Sequence, residues 1–315
     1  MNLIKGNDHK HVSLDAVREF EDAIIKEGIL HVIERKNNFV DLLFKIFKRI
    51  YIDGKVLRMI RPFVCSKSDN FTILMGPHFS KCIPCMLSKG KNGIYLYDAW
   101  PEKHSYIDEI IRSLNLKFIY FSSKRVAEIY ADKFKDKEIK WIPEAIKLDD
   151  YCFEDYKNKN IDIIQIGRKY DLYHDVIVDT LEKSNIIYLY ERNKGEIIFP
   201  KRDDFITALA KTKISICVPS SVTHKERAGD ISSVTLRYWQ SMASKCLILG
   251  IMPEEMKYLF DYKPIIDINM DDPVGQINSI LNNFELYIPL IEKNYLHVNE
   301  HHTWTERLKI MNQIY

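Results

Sequence analysis

Five short apolar runs punctuate the second half of the chain: IDIIQIG from Ile161, IIYLY from Ile186, KISICVP from Lys213, CLILG from Cys246 and PIIDI from Pro264. They are rich in β-branched residues and lack a clean polar alternation, the pattern of strands buried on both faces. Between them, LYHDVIVDTLEK, DDFITALAKT and VTLRYWQSMAS carry apolar residues three and four positions apart, the spacing of amphipathic helices. Strands that alternate with helices predict right-handed βαβ units and a parallel, doubly wound sheet. The first half repeats the pattern more faintly. FTILMG from Phe71, GIYLYDAW from Gly93 and KFIYFS from Lys117 predict strands, SYIDEIIRSL and SKRVAEIYADKF predict helices, and residues 13–47 are mainly helical in character.

The expected organisation is two α/β domains, the first of them small, meeting in the polar and aromatic stretch 141–160. The expected boundaries are 1–145, 146–300 and a C-terminal helix over 301–315 that crosses back to the first domain. In that helix Thr303 is the expected N-cap, with Glu306 three residues on. Two such domains facing each other make a cleft at the carboxyl ends of their strands, the usual place for a ligand.

Composition narrows the class. With 46% hydrophobic residues and only 11 Gly and 11 Pro in 315 residues, the chain reads as globular. Its 46 Lys+Arg against 44 Asp+Glu give a net charge of +2, which does not imply a nucleic-acid surface. Residues 44–61 interleave Lys45, Lys48, Arg49, Lys55, Arg58 and Arg61 with Phe, Ile and Tyr. Two readings stay open for this patch, a solvated face or a peripheral contact with an anionic membrane. Six scattered cysteines suit a reducing compartment, the cytoplasm. Cys82-x-x-Cys85 has no second Cys or His pair at zinc-site spacing, so two small buried side chains are expected there and no metal. No apolar run approaches the roughly 20 residues a membrane span requires.

The candidate chemistry lies in two loops that lead from strands into helices. Gly167, Arg168 and Lys169 follow the first strand of the second half; glycine permits close backbone approach, and two adjacent cations suit a diphosphate. Residues 229–250 run as a polar loop, a helix with Arg237 near its start, and an apolar run ending in Gly250. A helix that opens after such a loop offers free N–H groups and its positive dipole end to an anion. No GxGxxG and no GxxxxGK[ST] sequence occurs, so a dinucleotide dehydrogenase or P-loop reading lacks its usual support.

WIPEAI at 141–146, QIGRK at 165–169 and RYWQSMASKCLIL at 237–249 stand in an order that resembles the donor-binding half of GT-B glycosyltransferases, family 4-like (glycosyl transferases group 1). The resemblance covers about 141–315. It implies two Rossmann-like domains and transfer of a sugar, with retention, from a nucleotide-activated donor to a carbohydrate or lipid-linked acceptor, as in bacterial surface polysaccharide synthesis. It implies a donor site formed by Gly167, Arg168, Lys169, Ser232, Ser233, Val234, Arg237 and Gln240, with no divalent metal. Gln240 stands where the family usually has a ribose-binding glutamate, and Ser232 stands at the upstream acid of that family's pair. Lys245 stands in the place of a glycine, so a differently built helix end is expected. Glu226 and Asp230 are the acids near the donor sugar. From the first half, His78 and Asp98 are candidates for the base or orienting group, both just after strands. Trp239 and Met242 share a helix face and are expected in the core. A catalytically silent nucleotide-binding protein and a nucleotide-sugar epimerase are the alternatives.

Overall fold

The computed structural model describes residues 1–5, 14–33, 57–59, 61–63, 65–76, 86–167, 169–193 and 195–311. Its contacts divide into two units, Met1–Pro143 with Arg307–Tyr315, and Glu144–Glu306.

In the first unit the strands are β1 (Asn2–Ile4), β2 (His31–Ile33), β3 (Asn70–Met75), β4 (Asn92–Tyr97), β5 (Leu116–Phe121) and β6 (Glu138–Trp141). They form one parallel sheet in the order β2-β1-β3-β4-β5-β6. Helices α1 (Asp15–Lys26), α2 (His104–Ser113) and α3 (Lys124–Lys133) belong to this unit. Its central strands bury nearly every side chain, as their unbroken apolar runs require. Phe71 and Phe118 stack at 5.9 Å, and Phe20 of α1 meets Tyr95 edge-on at 5.0 Å.

The second unit holds β7 (Ile161–Gln165), β8 (Tyr188–Tyr190), β9 (Thr212–Cys217), β10 (Leu247–Gly250) and β11 (Ile266–Asp267). Its helices are α4 (Asp171–Lys183), α5 (Arg202–Ala210), the single turns α6 (Ser220–Thr223) and α7 (Lys225–Ala228), then α8 (Leu236–Ala243), α9 (Pro273–Asn282), α10 (Ile288–His301) and α11 (Trp304–Ile310), whose last residues join the first unit. All strand pairs are parallel, in the order β11-β10-β9-β7-β8. Alternate residues of β10 serve opposite faces. Leu247 and Leu249 pack with Tyr173 and Ile177 of α4 and Ile277 of α9, whereas Ile248 packs with Trp239 and Met242 of α8 and Val298 of α10. Trp239 and Met242 are fully buried, as their spacing predicts.

The chain steps from β7 outward to β8, returns past β7 to β9, and continues to β10 and β11. The strand order therefore reverses between β7 and β9, and at such a reversal the loops diverge and leave a crevice beyond the carboxyl ends.

Two details fix the elements around that crevice. Gly250 ends β10 where an added Cβ would lie 1.8 Å from the Cys217 carbonyl oxygen, so the chain approaches β9 as only glycine can. At the end of α8 the expectation from residue type is corrected. Lys245 has φ 51°, and the N–H groups of Lys245 and Cys246 donate to the carbonyls of Met242 and Ser241 at 3.1 and 2.9 Å. This is the same left-handed helix stop that glycine makes, built with a lysine. The side chain compensates: Nζ pairs with Glu292 at 2.8 Å and lies 4.0 Å from the Phe153 ring centroid. Lys245→Gly is expected to be more stable than Lys245→Ala by about 1 kcal/mol, since both lose these contacts and only glycine relieves the backbone. Urea denaturation of the two variants checks this; equal midpoints would mean that no strain resides there.

Thr303 caps α11 as expected, its Oγ1 accepting from Glu306 N at 3.4 Å. Beyond it, Arg307 Nε donates to Pro143 O at 3.0 Å.

Candidate functional site

β7 delivers Ile166 and Gly167 to the crevice at its carboxyl end, and α8 delivers Arg237 from the other side. Gly167 has φ 76°, and an added Cβ would lie 3.1 Å from Arg237 Nη1. The glycine is thus required twice, by its left-handed backbone and by the guanidinium packed against it. Arg237 Nη1 donates to Ile166 O at 2.8 Å, which ties the start of α8 to the β7–α4 loop. Arg237 remains partly exposed, and most of its five N–H donors are left for other partners.

The first turn of α8 adds to this. Its N-cap, Thr235, is extended and makes no side-chain capping bond, so amides at the helix start are not closed by the chain's own side chain. Arg237 and Gln240 lie three residues apart, on one helix face. Gln240 is 4% exposed, borders the crevice with Ile166, Ile216 and Arg237, and donates from Nε2 to Tyr151 Oη at 2.9 Å. Beneath them Ser241 Oγ donates to Arg237 O at 2.8 Å and lies 2.7 Å from Ser215 Oγ. Cys217 is fully buried there, and burial pushes its thiol pKa up, which keeps it a neutral packing group. A cation and a neutral amide then border one narrow gap, lined also by Phe205, Leu209 and Ile216, and the start of α8 lies one residue before Arg237. That combination suits a ligand with a phosphate and nearby hydroxyl groups.

Of the other residues expected from sequence, Lys169 is turned to the far side of β7, its Nζ 5.5 Å from the Tyr190 ring centroid. Ser232 and Ser233 do not form the helix start, because α8 begins at Leu236. Ser232 instead accepts at Oγ from Glu254 N (3.1 Å) and at its carbonyl from Glu255 N (3.3 Å), which fixes the turn Glu254–Tyr258 against the loop. Val234 is buried in the core. Glu226 in α7 and Asp230 after it are exposed. Asp98 lies at the carboxyl end of β4, in the first unit, with φ 48°, a backbone held in a sparsely occupied region. Arg168, His78, Cys82, Cys85 and most of the 44–61 patch lie outside the described residues. Among the described residues no three His, Cys, Asp or Glu side chains are grouped to hold a metal.

A polar relay underlies the β7–α4 loop. Tyr188 Oη donates to Gln165 Oε1 at 2.6 Å, so His174 Nδ1, 2.9 Å from Tyr188 Oη, is the donor in that contact. Burial, with Lys169 second, lowers the His174 pKa below 6.5. In the unfolded chain His174 takes a proton at the ordinary value and in the folded chain it resists, so stability falls as pH drops from 6.5 toward the lowered value. Melting curves between pH 7.5 and about 5 are expected to show this slope. His174→Asn is expected to flatten it, and an unchanged slope would assign it to other groups.

No protein-family profile and no curated sequence matches the chain. Solved structures do. Sucrose-phosphate synthase from Thermosynechococcus elongatus superposes with TM-score 0.61 at 11% identity, over 100% of this chain and 97% of that one. HepE from Anabaena, in complex with UDP and glucose, gives TM-score 0.57 at 7% identity over 99% and 98%. The fold is that of the GT-B glycosyltransferases. TarM gives TM-score 0.54 at 12% identity over 82% of this chain, which spans 57% of TarM. Within this GT-B fold the converged residues, Gly167, Arg237 and Gln240, all belong to the unit Glu144–Glu306. No described helix is long and apolar enough to cross a membrane.

Proposed function

We propose that the protein is a glycosyltransferase that moves a sugar from a nucleoside-diphosphate donor to a carbohydrate or lipid-linked acceptor, with retention, in surface polysaccharide or glycoconjugate synthesis. The observation that carries the reading is Arg237 with Gln240 at the open start of α8, against Gly167, where the strand order reverses. HepE, solved with UDP and with UDP-glucose, supports a nucleotide sugar as the donor class.

In the transfer the bond from the anomeric carbon to the diphosphate oxygen breaks, and its electron pair leaves with the nucleoside diphosphate. Arg237 and the first-turn amides of α8 stabilise that developing charge, and Arg168, next to Gly167 in sequence, adds a second positive charge. With fixed cations and a helix dipole in this role, a divalent metal is not needed. Asp98, His78, Glu226 and Asp230 remain the candidates for orienting acceptor and sugar.

The test is release of nucleoside diphosphate from UDP-glucose, GDP-mannose and ADP-glucose, with a mixed glycan acceptor pool, in magnesium and in EDTA. One donor is expected to turn over equally in both, and NMR of the product is expected to show the donor's anomeric configuration. Binding without release from any donor would favour the catalytically silent alternative.

For the cell, we place this work on the cytoplasmic side of a membrane. Met59 and Phe63 are 71% and 84% exposed. They sit among Arg58, Arg61 and Lys89, which is bonded to Pro62 O at 3.2 Å. Apolar tips among cations suit an anionic lipid surface. Flotation with phosphatidylserine vesicles, lost in Phe63→Glu and absent with phosphatidylcholine alone, is the expected outcome; no flotation in the wild type would refute this placement.

A further inference from the structure

The exposed tips Met59 and Phe63 have a definite place in the first unit. Its parallel strands run in register, Asn70 of β3 opposite Asn92 of β4 and Asn92 opposite Leu116 of β5, so their amino ends lie level. The segment that carries the tips is tied to that end. Arg58 Nη1 donates to Glu109 Oε1 at 2.6 Å and to Ser113 Oγ at 3.2 Å, near the end of α2, the helix that returns the chain to the start of β5. Arg61 Nη2 donates at 2.8 Å to Oδ1 of Asn115, the residue before β5, and Asn115 Nδ2 donates at 3.0 Å to Gly90 O, two residues before β4. Lys89 closes the set through Pro62 O. Phe63 is thereby fixed at the amino edge of the sheet.

Charge of one sign gathers at the same edge. Arg58, Lys67, Lys89 and Lys117 are exposed there beside the half-buried Arg61, whereas two nearby acids are engaged: Asp69 Oδ1 accepts from Lys91 N at 2.6 Å, and Glu109 accepts from Arg58. Phenyl and thioether tips among five cations fit lipid tails beneath anionic headgroups. The carboxyl ends lie a strand's length away. β4 runs six residues, from Asn92 to Tyr97, about 20 Å at the usual rise of a strand, and Asp98 follows it. In a parallel α/β sheet the ligand sits beyond those carboxyl ends. A sugar joined directly to a lipid headgroup stays in the interfacial layer, which is only about 5–8 Å thick on each side of the bilayer.

We propose that the first unit stands on an anionic bilayer by the amino ends of β3, β4 and β5, with their carboxyl ends turned away from the lipid, and that its acceptor is the outer end of an extended glycan. The proposal rests on the transferase and lipid-surface readings above and deepens them by choosing the acceptor class. The terminal hydroxyl oxygen of the glycan bonds to the anomeric carbon as the donor bond breaks, and its proton passes to the departing nucleoside diphosphate. A sugar held at headgroup level cannot reach the carboxyl ends of this sheet.

The experiment floats the full chain on phosphatidylserine vesicles that contain a phospholipid with a diazirine in its headgroup, then irradiates and maps the adducts by mass spectrometry. Adducts are expected at Met59, Phe63 and Lys89, and at least tenfold fewer at 98–103 and 122–128, which follow the carboxyl ends of β4 and β5. Phe63→Glu, changed at a residue 84% exposed, is expected to keep the wild-type melting temperature and lose the adducts. Equal labelling at both ends, or labelling mainly at 98–103 and 122–128, overturns the proposal while leaving the lipid contact intact. No flotation of the wild type overturns the lipid-surface reading along with it. The acceptor class is read on the same vesicles, by offering a bilayer-embedded polyprenyl-phosphate monosaccharide beside glycan chains of several sugars. Product is expected on the chains alone, and product on the embedded monosaccharide overturns the assignment. Turnover of no donor with either acceptor overturns it together with the transferase reading.

Discussion

Arg237→Ala is expected to weaken nucleoside-diphosphate binding by about 100-fold. One forked arginine makes two charge-assisted hydrogen bonds to a phosphate, each contributing roughly 1.5 kcal/mol or more, and a factor of ten is about 1.4 kcal/mol. The variant also loses the bond from Nη1 to Ile166 O, which holds the β7–α4 loop against α8. Arg237→Lys separates these parts: it keeps the charge but loses the fork and the tie, and is expected to recover about tenfold of the loss. Because Arg237 is partly exposed, the melting temperature of either variant should fall only slightly. Calorimetric titration reads the affinities. Binding to Arg237→Ala within about threefold of wild type would remove the arginine from the site.

The largest effect on stability is expected away from the crevice. Lys159 is 3% exposed, and its Nζ donates to the carbonyls of Ala210, Thr212 and Ser244 at 2.9, 2.9 and 3.1 Å. Ala210 ends α5 and Ser244 is the C-cap of α8, so one ammonium satisfies carbonyls at two helix ends, where the dipoles are negative. Lys159→Met is expected to destabilise the second unit by about 3 kcal/mol, because the isosteric side chain leaves buried acceptors unpaired. For a unit of this size that lowers the melting temperature by roughly 10 °C. Burial depresses the Lys159 pKa from 10.5, so the wild type is least favoured by this group below the depressed value and gains as pH rises toward 10.5. The gap between wild type and Lys159→Met should therefore widen between pH 7 and about 10. A gap below about 1 kcal/mol at pH 7 would mean that solvent replaces the amine.

What the sequence disclosed and withheld follows from the same forces. Strands β9 and β10 were legible because both faces are covered, which forces continuous apolar runs such as LILG of β10. By contrast β1 and β2 are three residues each, and β2 is exposed throughout, so neither leaves a periodic trace. Gly167 and Arg237 stood out because each lies where a strand passes into a helix or near a helix start, whereas Gln240 was singled out only by the resemblance. The Tyr151 hydroxyl could not be found, since no local spacing brings together residues 89 positions apart. Lys159 sits in KNKN, where Lys157 two positions earlier is exposed; only the fold distinguishes the two. Lys245 misled for a related reason. Residue type argued for a different helix end, whereas the ion pair with Glu292 and the Phe153 ring lets a lysine occupy a glycine's backbone conformation.

The proposed seat of the donor diphosphate is the start of α8. Its most direct test is a crystal structure of the protein soaked with whichever of UDP, GDP or ADP binds in solution, without metal. The expected density places the diphosphate within about 3 Å of the Arg237 guanidinium and the first-turn amides of α8. A nucleotide seated elsewhere on the molecule, with the Arg237 guanidinium still donating to Ile166 O and to no phosphate, would contradict it.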